Sequence, residues 1–399
     1  MFQRLRAAQN QSRWYHLYML FLSLQFSIAF WVIFLRSRGI SFAAIGLLET
    51  IFHIAAFSAE IPTGIIADRL GRRASLMLGR TASIIASVLT IVTRNIVFLA
   101  LAFALDAIAG AFHSGAFEAM VYDHMRKDQK ESDFTKRLGG LNSISLLGGA
   151  AAALTGGWVA QYSLIFLYVL NISADLLAIG TLLMFKEVKQ VHDGTASNNF
   201  SILRQAYDFC LKNPGIIRIY LLSGFIGAAV YSCLFYGQSY LKSAGIPFTL
   251  LGTLSMLTGL ASFLPARFSY RVEAWFGWRR SLRIALVFIG GIILGLGLIP
   301  QKGGLLWQTA LFIGFLLYNA GYESLYPLIS NQLNMRIPQE QRATLLSANG
   351  MAYSIFMMAI FPLFGVIGDR VGLKWGYIGL GILILLLAAG LIGRRIKKP

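Results

Sequence analysis

In a chain of 399 residues, 56% are hydrophobic and only 13% charged, which would leave a soluble domain of this size with far too much apolar surface in water. The formal net charge of +18 raises nucleic acid as a partner, but the cations cluster at the ends of apolar runs, and that placement argues for topology and against nucleic-acid binding. The two cysteines, Cys210 and Cys233, fall one beside a polar stretch and one inside an apolar run, which argues against a disulfide or a metal site.

Apolar runs of about 20 residues, the length that crosses a hydrocarbon core of roughly 30 Å, lie in chain order at 14–35, 42–65, 74–93, 96–121, 138–161 and 164–185. The first follows Arg4, Arg6 and Arg13, yet it is too long for a signal peptide and no small-residue cleavage site follows it. A polar stretch at 186–214, beginning KEVKQVHDGTASNNFS, interrupts the series; the runs resume at 215–241, 248–270, 281–299, 305–330, 343–367 and 375–393. The expected fold is an all-α membrane protein of twelve transmembrane helices. Its expected domains are an N-terminal six-helix half at 1–185, a linker at 186–214 and a C-terminal six-helix half at 215–399. In that topology 28 Lys/Arg fall on the side of the termini and seven on the other. Both termini and the linker are therefore expected to be cytoplasmic, in the cytoplasmic membrane.

The halves repeat. FLRSRGISFAAIG at 34–46 and YLKSAGIPFTLLG at 240–252 share six of thirteen residues at an offset of 206. At the same offset Gly71, Arg73, Ser75 and Leu76 recur as Gly277, Arg279, Ser281 and Leu282, while Phe112 and Gly115 find Tyr318 and Gly321. Further on, Leu154, Gly156, Leu164 and Tyr168 match Leu363, Gly365, Leu373 and Tyr377 at an offset of 209. A parallel repeat of this kind predicts a substrate site near the midplane at the repeat interface, with rocking of one half giving alternating access.

Between the second and third runs lies GIIADRLGRRASL, residues 64–76. Gly64 and Gly71 permit a tight turn, and Asp68 stands with Arg69, Arg72 and Arg73 in a charge cluster; a membrane-face anchor accounts for Arg72 and Arg73 as well. The loop resembles the signature loop of the major facilitator superfamily, departing from its pattern at Ile66. The resemblance implies a conformational gate made of Gly64, Asp68, Arg69, Gly71, Arg72, Arg73 and Asp123. In it Asp68 would cap a second-half helix and Arg69 would pair with Asp123 at the inner end of span 4. The second copy, RFSYRVEAWFGWRRSL, keeps Gly277, Arg279 and Arg280 but has Ala274 in place of the aspartate. Gly139, Gly148, Gly156 and Gly157 of span 5 are similar to the family's antiporter motif, though Ala152 and Ala153 replace its Gly and Pro; small residues there allow close helix packing in any case. Span 4 lacks the arginine the family often has and carries Asp106 instead, so no relay role is transferred to it from the family.

Charged groups inside a span cost a few kcal/mol and need a reason. Glu49, His53 and Glu60 fall within about 40° on span 2 at ~100° per residue. Asp106 and His113 share a face of span 4, and Gln308, Asn319, Glu323 and Tyr326 share one of span 10. Such stripes are expected to face a water-filled cavity. Glu323 is the leading proton-coupling candidate and Asp106 the second; an acid shortly before Tyr-Pro in span 10 is similar to multidrug efflux members of the family. A hydrogen bond to a neighbouring helix is the structural alternative for Glu323. Asp175, near Asn171 on span 6, has no evident partner in the sequence. Trp31, Phe34, His113, Tyr231, Phe235, Asn319 and Tyr326 are expected to line a substrate cavity, the aromatic members stacking flat lipophilic compounds; Phe30, Tyr236 and Tyr240 belong to the same aromatic set.

No phosphate-binding Gly-rich loop is present, which argues against ATP as the energy source. The chain reads as a secondary transporter and not an enzyme, with no catalytic residues, metal or cofactor expected. Its expected partners are protons, a small-molecule substrate and the bilayer, and it is expected to work as a monomer. The resemblance to the drug:proton antiporter branch implies efflux of small lipophilic or cationic compounds. Import of a metabolite, lipid translocation and a scaffold or sensor role remain alternatives.

Overall fold

In hydrocarbon every backbone N–H and C=O must be satisfied within the protein, and a helix does this within its own segment, so long apolar runs are expected to be helical. The computed structural model describes residues 2–127, 129, 131–185, 208–261, 263–301, 304–338 and 342–390. Among these, the first half holds α1 (Phe2–Ser23), α2 (Trp31–Ser37), α3 (Phe42–Leu70), α4 (Arg72–Val92), α5 (Ile96–His113), α6 (Ala116–Lys127), α7 (Phe134–Val159) and α8 (Leu164–Leu183). The second holds α9 (Pro214–Ser243), α10 (Phe248–Ala261), α11 (Phe263–Leu298), α12 (Leu305–Asn334), α13 (Arg342–Arg370) and α14 (Leu373–Gly390). Nine described stretches are individually long and apolar enough to cross a membrane, and the fold is that of a multi-pass, all-α membrane protein. The predicted linker lies outside the described residues as far as 207.

Several predicted spans are broken. Span 1 is divided between α1 and α2 by non-helical backbone at 24–30, and span 4 between α5 and α6 at Ser114 and Gly115, where Gly115 has φ +70°. Span 8 continues from α10 into α11, which turns at Gly277 (φ 72°, ψ 158°) before running on as span 9. Local capping follows side-chain chemistry: Asn95 Oδ1 accepts the Val97 N–H (2.9 Å) at the start of α5, and Ser163 Oγ accepts that of Ile165 (3.3 Å) at the start of α8.

The duplication is written into the backbone. Gly39 and Gly245, 206 residues apart, have φ +85° and +87°; Gly71 and Gly277, at the same offset, have +94° and +72°. These left-handed turns are where a side chain would be strained. Buried positions repeat too, with Ser75 and Leu76 matched by Ser281 and Leu282.

The chain divides into two compact units. One comprises Met1–Ile40, Ile51–His192 and Pro247–Met256; the other comprises Ser41–Thr50, Asp193–Ile246 and Leu257–Pro399. Each unit thus includes the opening turns of a helix from the other repeat, and the two borrowed segments begin 206 residues apart. In the first unit, α10 lies so close to α7 that a Cβ on Gly157 would stand 2.7 Å from the Phe248 carbonyl oxygen. In the second, a Cβ on Gly365 would overlap the carbonyl oxygen of Phe42, the residue equivalent to Phe248. Gly365 thus shares with Gly157 the approach to this equivalent carbonyl, at offset 208, while its contact with Tyr236 parallels that of Gly156 with Phe30, at offset 209.

The core of the first unit gathers Tyr15, Tyr18, Leu76, Phe117, Val121, Leu141 and Leu182. In the second, Tyr236 stacks on Phe361 (centroids 4.3 Å) and donates its hydroxyl to the Phe42 carbonyl (3.0 Å). The borrowed turn of the second unit is also capped: Asp369 accepts the Phe42 N–H on Oδ1 (3.1 Å) and the Ala43 N–H on Oδ2 (2.8 Å). Loss of such a cap costs about 0.5–2 kcal/mol. In Asp369→Ala the amides at the start of α3 are therefore expected to exchange with solvent roughly two- to thirtyfold faster, as hydrogen exchange of the reconstituted protein would read. Unchanged protection at these amides would leave the cap without a stabilising part.

Candidate functional site

Two polar clusters lie at membrane depth, one in each unit. The first is built around the interruption of span 1. Leu24 to Phe30 contain neither Gly nor Pro, so the break is not a breaker-residue effect. Its cause is tertiary: Asn171 on α8 accepts the Phe26 N–H on Oδ1 (2.7 Å) and donates from Nδ2 to Ser27 Oγ (2.7 Å). Ser27 also hydrogen-bonds Tyr168. The Phe26 N–H is thus met by a side chain and those of Leu24, Gln25, Ile28 and Phe30 by nearby backbone carbonyls, so that non-helical backbone here is satisfied by protein groups. Gly148 and Gly156 of α7 make room for it, one against Ser23 and the other 2.9 Å, from a would-be Cβ, to the Phe26 carbonyl oxygen. Two of the four glycines of the antiporter-like spacing therefore serve close packing onto the broken span, while Gly157 packs on α10 and Gly139 meets nothing within 4 Å among the described residues.

Beside this break sits a buried ion pair. Arg80 Nη1 on α4 donates to Asp175 Oδ1 on α8 at 3.0 Å, with the residues 4% and 7% exposed. Asp175 accepts a second hydrogen bond from Ser83. Arg80 Nε makes no hydrogen bond among the described residues. Asp106 on α5 lies in electrostatic reach of both members of the pair and of Tyr168, and it is itself exposed. Tyr18 completes the group, its hydroxyl 3.3 Å from His113 Nδ1; the His113 ring stacks on Phe117 at 5.3 Å. Arg80 is thus the partner that Asp175 lacks in the sequence. It is a buried residue of α4.

The second cluster is aromatic. Tyr231 of α9 meets Tyr322 of α12 (5.8 Å, edge-on), Tyr353 of α13 (5.7 Å) and Phe235 (6.0 Å). Glu323, half-buried on α12, is in electrostatic reach of Tyr231 and Tyr322. Glu49, in the borrowed turn of α3, reaches Tyr353 and Tyr236. Gly227 lets α9 approach, its would-be Cβ lying 3.1 Å from the Tyr322 hydroxyl and from the Tyr353 ring.

The remaining cavity residues divide. Trp31 is half-buried, edge-on to Phe103 (5.5 Å). Phe34 is 2% exposed and packs on Tyr168 (4.7 Å), so it belongs to the core and not to a cavity wall, as do Phe30, Tyr236 and Tyr240. Asn319 is buried and turned back on its own helix, donating to the Phe315 carbonyl (2.8 Å). Tyr326 is 70% exposed.

In the loop after span 2, Gly71 makes the predicted turn, whereas Gly64 lies within α3. Asp123 pairs with Arg72 (2.6 Å), where the resemblance implies Arg69; Asp68 and Arg69 are both exposed. Arg73 donates to the Phe185 carbonyl (3.1 Å) just past the end of α8. That bond satisfies a carbonyl group at a helix C-terminus.

Comparison with known proteins gives a consistent family. The model of the Major Facilitator Superfamily matches residues 15–362. An uncharacterized MFS-type transporter of Bacillus subtilis (strain 168), YxaM, is 21% identical over 367 residues, covering 89% of this chain and 88% of that protein. Among solved structures, a mutant form of the nucleoside transporter NupG is similar with a TM-score of 0.81 at 12% identity, covering 96% of this chain and 100% of the other. A D-xylose–proton symporter is similar with a TM-score of 0.73 at 13% identity, covering 96% of each.

Proposed function

The chain belongs to the Major Facilitator Superfamily and is a secondary transporter; from that premise we propose that it exports small lipophilic or cationic compounds in exchange for protons, by alternating access. The observation that carries this reading is Glu323 among Tyr231, Tyr322, Tyr353 and Phe235. An aromatic wall stacks flat apolar groups and attracts cations through its ring faces. No described cation acts on Glu323, so its carboxylate is available to a proton or to a positively charged substrate in turn. Asp106 is a second proton acceptor in this reading, because an exposed carboxylate in the middle of a span is tolerated on a water-filled space and not on lipid. The loop from Gly64 to Arg73 is the proposed gate, anchored through Arg72 and Asp123.

A second reading has its own support. The break in span 1 presents an exposed Gln25 next to the bonds of Asn171, Ser27 and Tyr168, a surface suited to a hydroxyl-rich neutral solute. The similar structures whose names specify a nucleoside or D-xylose agree with import of such a compound. Tetraphenylphosphonium, uridine and xylose offered side by side to reconstituted protein under a pH gradient separate the two. Gradient-dependent movement of the cation alone supports export, and of a sugar or nucleoside alone supports import.

On orientation, the 28-to-7 division of Lys/Arg supports cytoplasmic termini; with Arg80 buried in α4, 27 remain on that side. A fluorescent reporter fused after Pro399 is expected to light up only if it folds in the cytoplasm, and an alkaline-phosphatase fusion at the same point is expected to be silent. Active phosphatase would reverse the orientation.

A further inference from the structure

The second unit contains a cavity of about 720 Å³ that the transport reading does not use. It is lined by α9, α11, α13 and α14 at the end where α9 begins and α14 stops. Its walls are aliphatic and aromatic, among them Phe225, Leu386 and Leu387, together with Arg218, Arg279 and Arg336; no carboxylate is among its described lining residues. Glu273 lies one layer back and is held by Asn331 (3.3 Å) and Gln332 (3.2 Å), and Gln332 in turn accepts from Arg336 Nη2 (3.3 Å). That chain of bonds holds the Arg336 guanidinium in place. Leu386 is 61% exposed and Leu387 38%, so the apolar part of the groove opens sideways from the helices.

Three cations beside an outward-opening apolar wall match an amphiphile with an anionic head. We propose that this groove binds an anionic phospholipid, its phosphate on Arg218, Arg279 and Arg336 and its acyl chains along Phe225, Leu386 and Leu387. Basic pockets between membrane helices on the cytoplasmic side bind such head groups, and these arginines lie on the side that carries most of the chain's cations. A volume of about 720 Å³ falls within the ~300–1,000 Å³ of ligand pockets. A soluble anion would use the arginines and leave the apolar wall unexplained.

The test uses the purified full chain and needs neither transport nor a known substrate, so its outcome is separable from that of the export reading. Thermal unfolding is followed while adding phosphatidylglycerol, phosphatidylcholine with the same acyl chains, or inorganic phosphate. Phosphatidylglycerol is expected to raise the midpoint saturably, and the other two are not. Each of Arg218→Gln and Arg336→Gln is expected to weaken its half-saturation about fivefold, from about 1 kcal/mol per basic side chain. Leu386→Trp, which fills the groove without altering charge, is expected to weaken it as well. Arg218 and Leu386 are exposed, so these two variants keep the test valid if Arg336→Gln fails to fold. Equal stabilisation by inorganic phosphate would make this a free-anion site, and equal stabilisation by phosphatidylcholine a nonspecific one. Either result, or undiminished phosphatidylglycerol binding in the folded variants, overturns the proposal.

Discussion

Replacing Arg80 by Met is expected to lower the stability of the protein severely. The guanidinium is buried at membrane depth and bonded to Asp175 at 3.0 Å. Removing it leaves a carboxylate stranded in the interior of the first unit, with Ser83 as its remaining hydrogen-bond partner among the described residues. Breaking a buried pair from one side costs on the order of 3–5 kcal/mol, whereas removing both charges for apolar groups of similar volume is often neutral. Asp175→Leu alone is expected to be as harmful, because an unpaired arginine then faces the interior. The double variant Arg80→Met/Asp175→Leu is expected to recover most of the loss in unfolding midpoint and in membrane yield. Singles that unfold at the wild-type temperature, or a double worse than both, would show that the pair is not what holds α4 to α8.

Glu323→Gln is expected to reduce pH-driven transport to the level of protein-free vesicles while leaving substrate binding largely intact. A carboxylate that exchanges a proton for substrate must alternate between charged and neutral forms, and the amide fixes the neutral one while keeping the shape. The flanking Tyr231 and Tyr322 still stack the substrate in the variant, which is why binding and coupling should separate. Asp106→Asn is expected to act more weakly, because Arg80 and Asp175 remain beside it to order the site. If Glu323→Gln transports at the wild-type rate, the side chain is structural and Asp106 takes its place as the coupling group.

Much of the fold could be read from the chain because its demands are local. Gly39, Gly71, Gly245 and Gly277 all carry left-handed turns, and only glycine does this without strain, so the duplication survives where the backbone requires it. Span ends followed from hydropathy for the same reason: a helix in lipid is set by its own residues. The break in span 1 could not be read, since its cause is Asn171, 145 residues beyond Phe26. The Arg80–Asp175 pair joins residues 95 apart; the rule that each buried charge needs a partner would have suggested it had Arg80 been counted inside its helix. Phe34 and Tyr231 look alike as aromatic residues of apolar spans, and only packing separates a core ring from a wall. Asp123 was legible as an acid at the end of span 4, but the choice of Arg72 over Arg69 depends on how the helix start at Gly71 turns each side chain.

The central claim is proton-coupled export, and one measurement bears on it most directly. Purified protein in sealed liposomes with an acidic lumen, without ATP, is offered tetraphenylphosphonium from outside. The cation is expected to accumulate in the lumen while protons leave, with the membrane potential clamped, and collapsing the pH gradient with nigericin is expected to abolish the accumulation. A cation distribution that equilibrates at the same rate and extent with or without the gradient would contradict it.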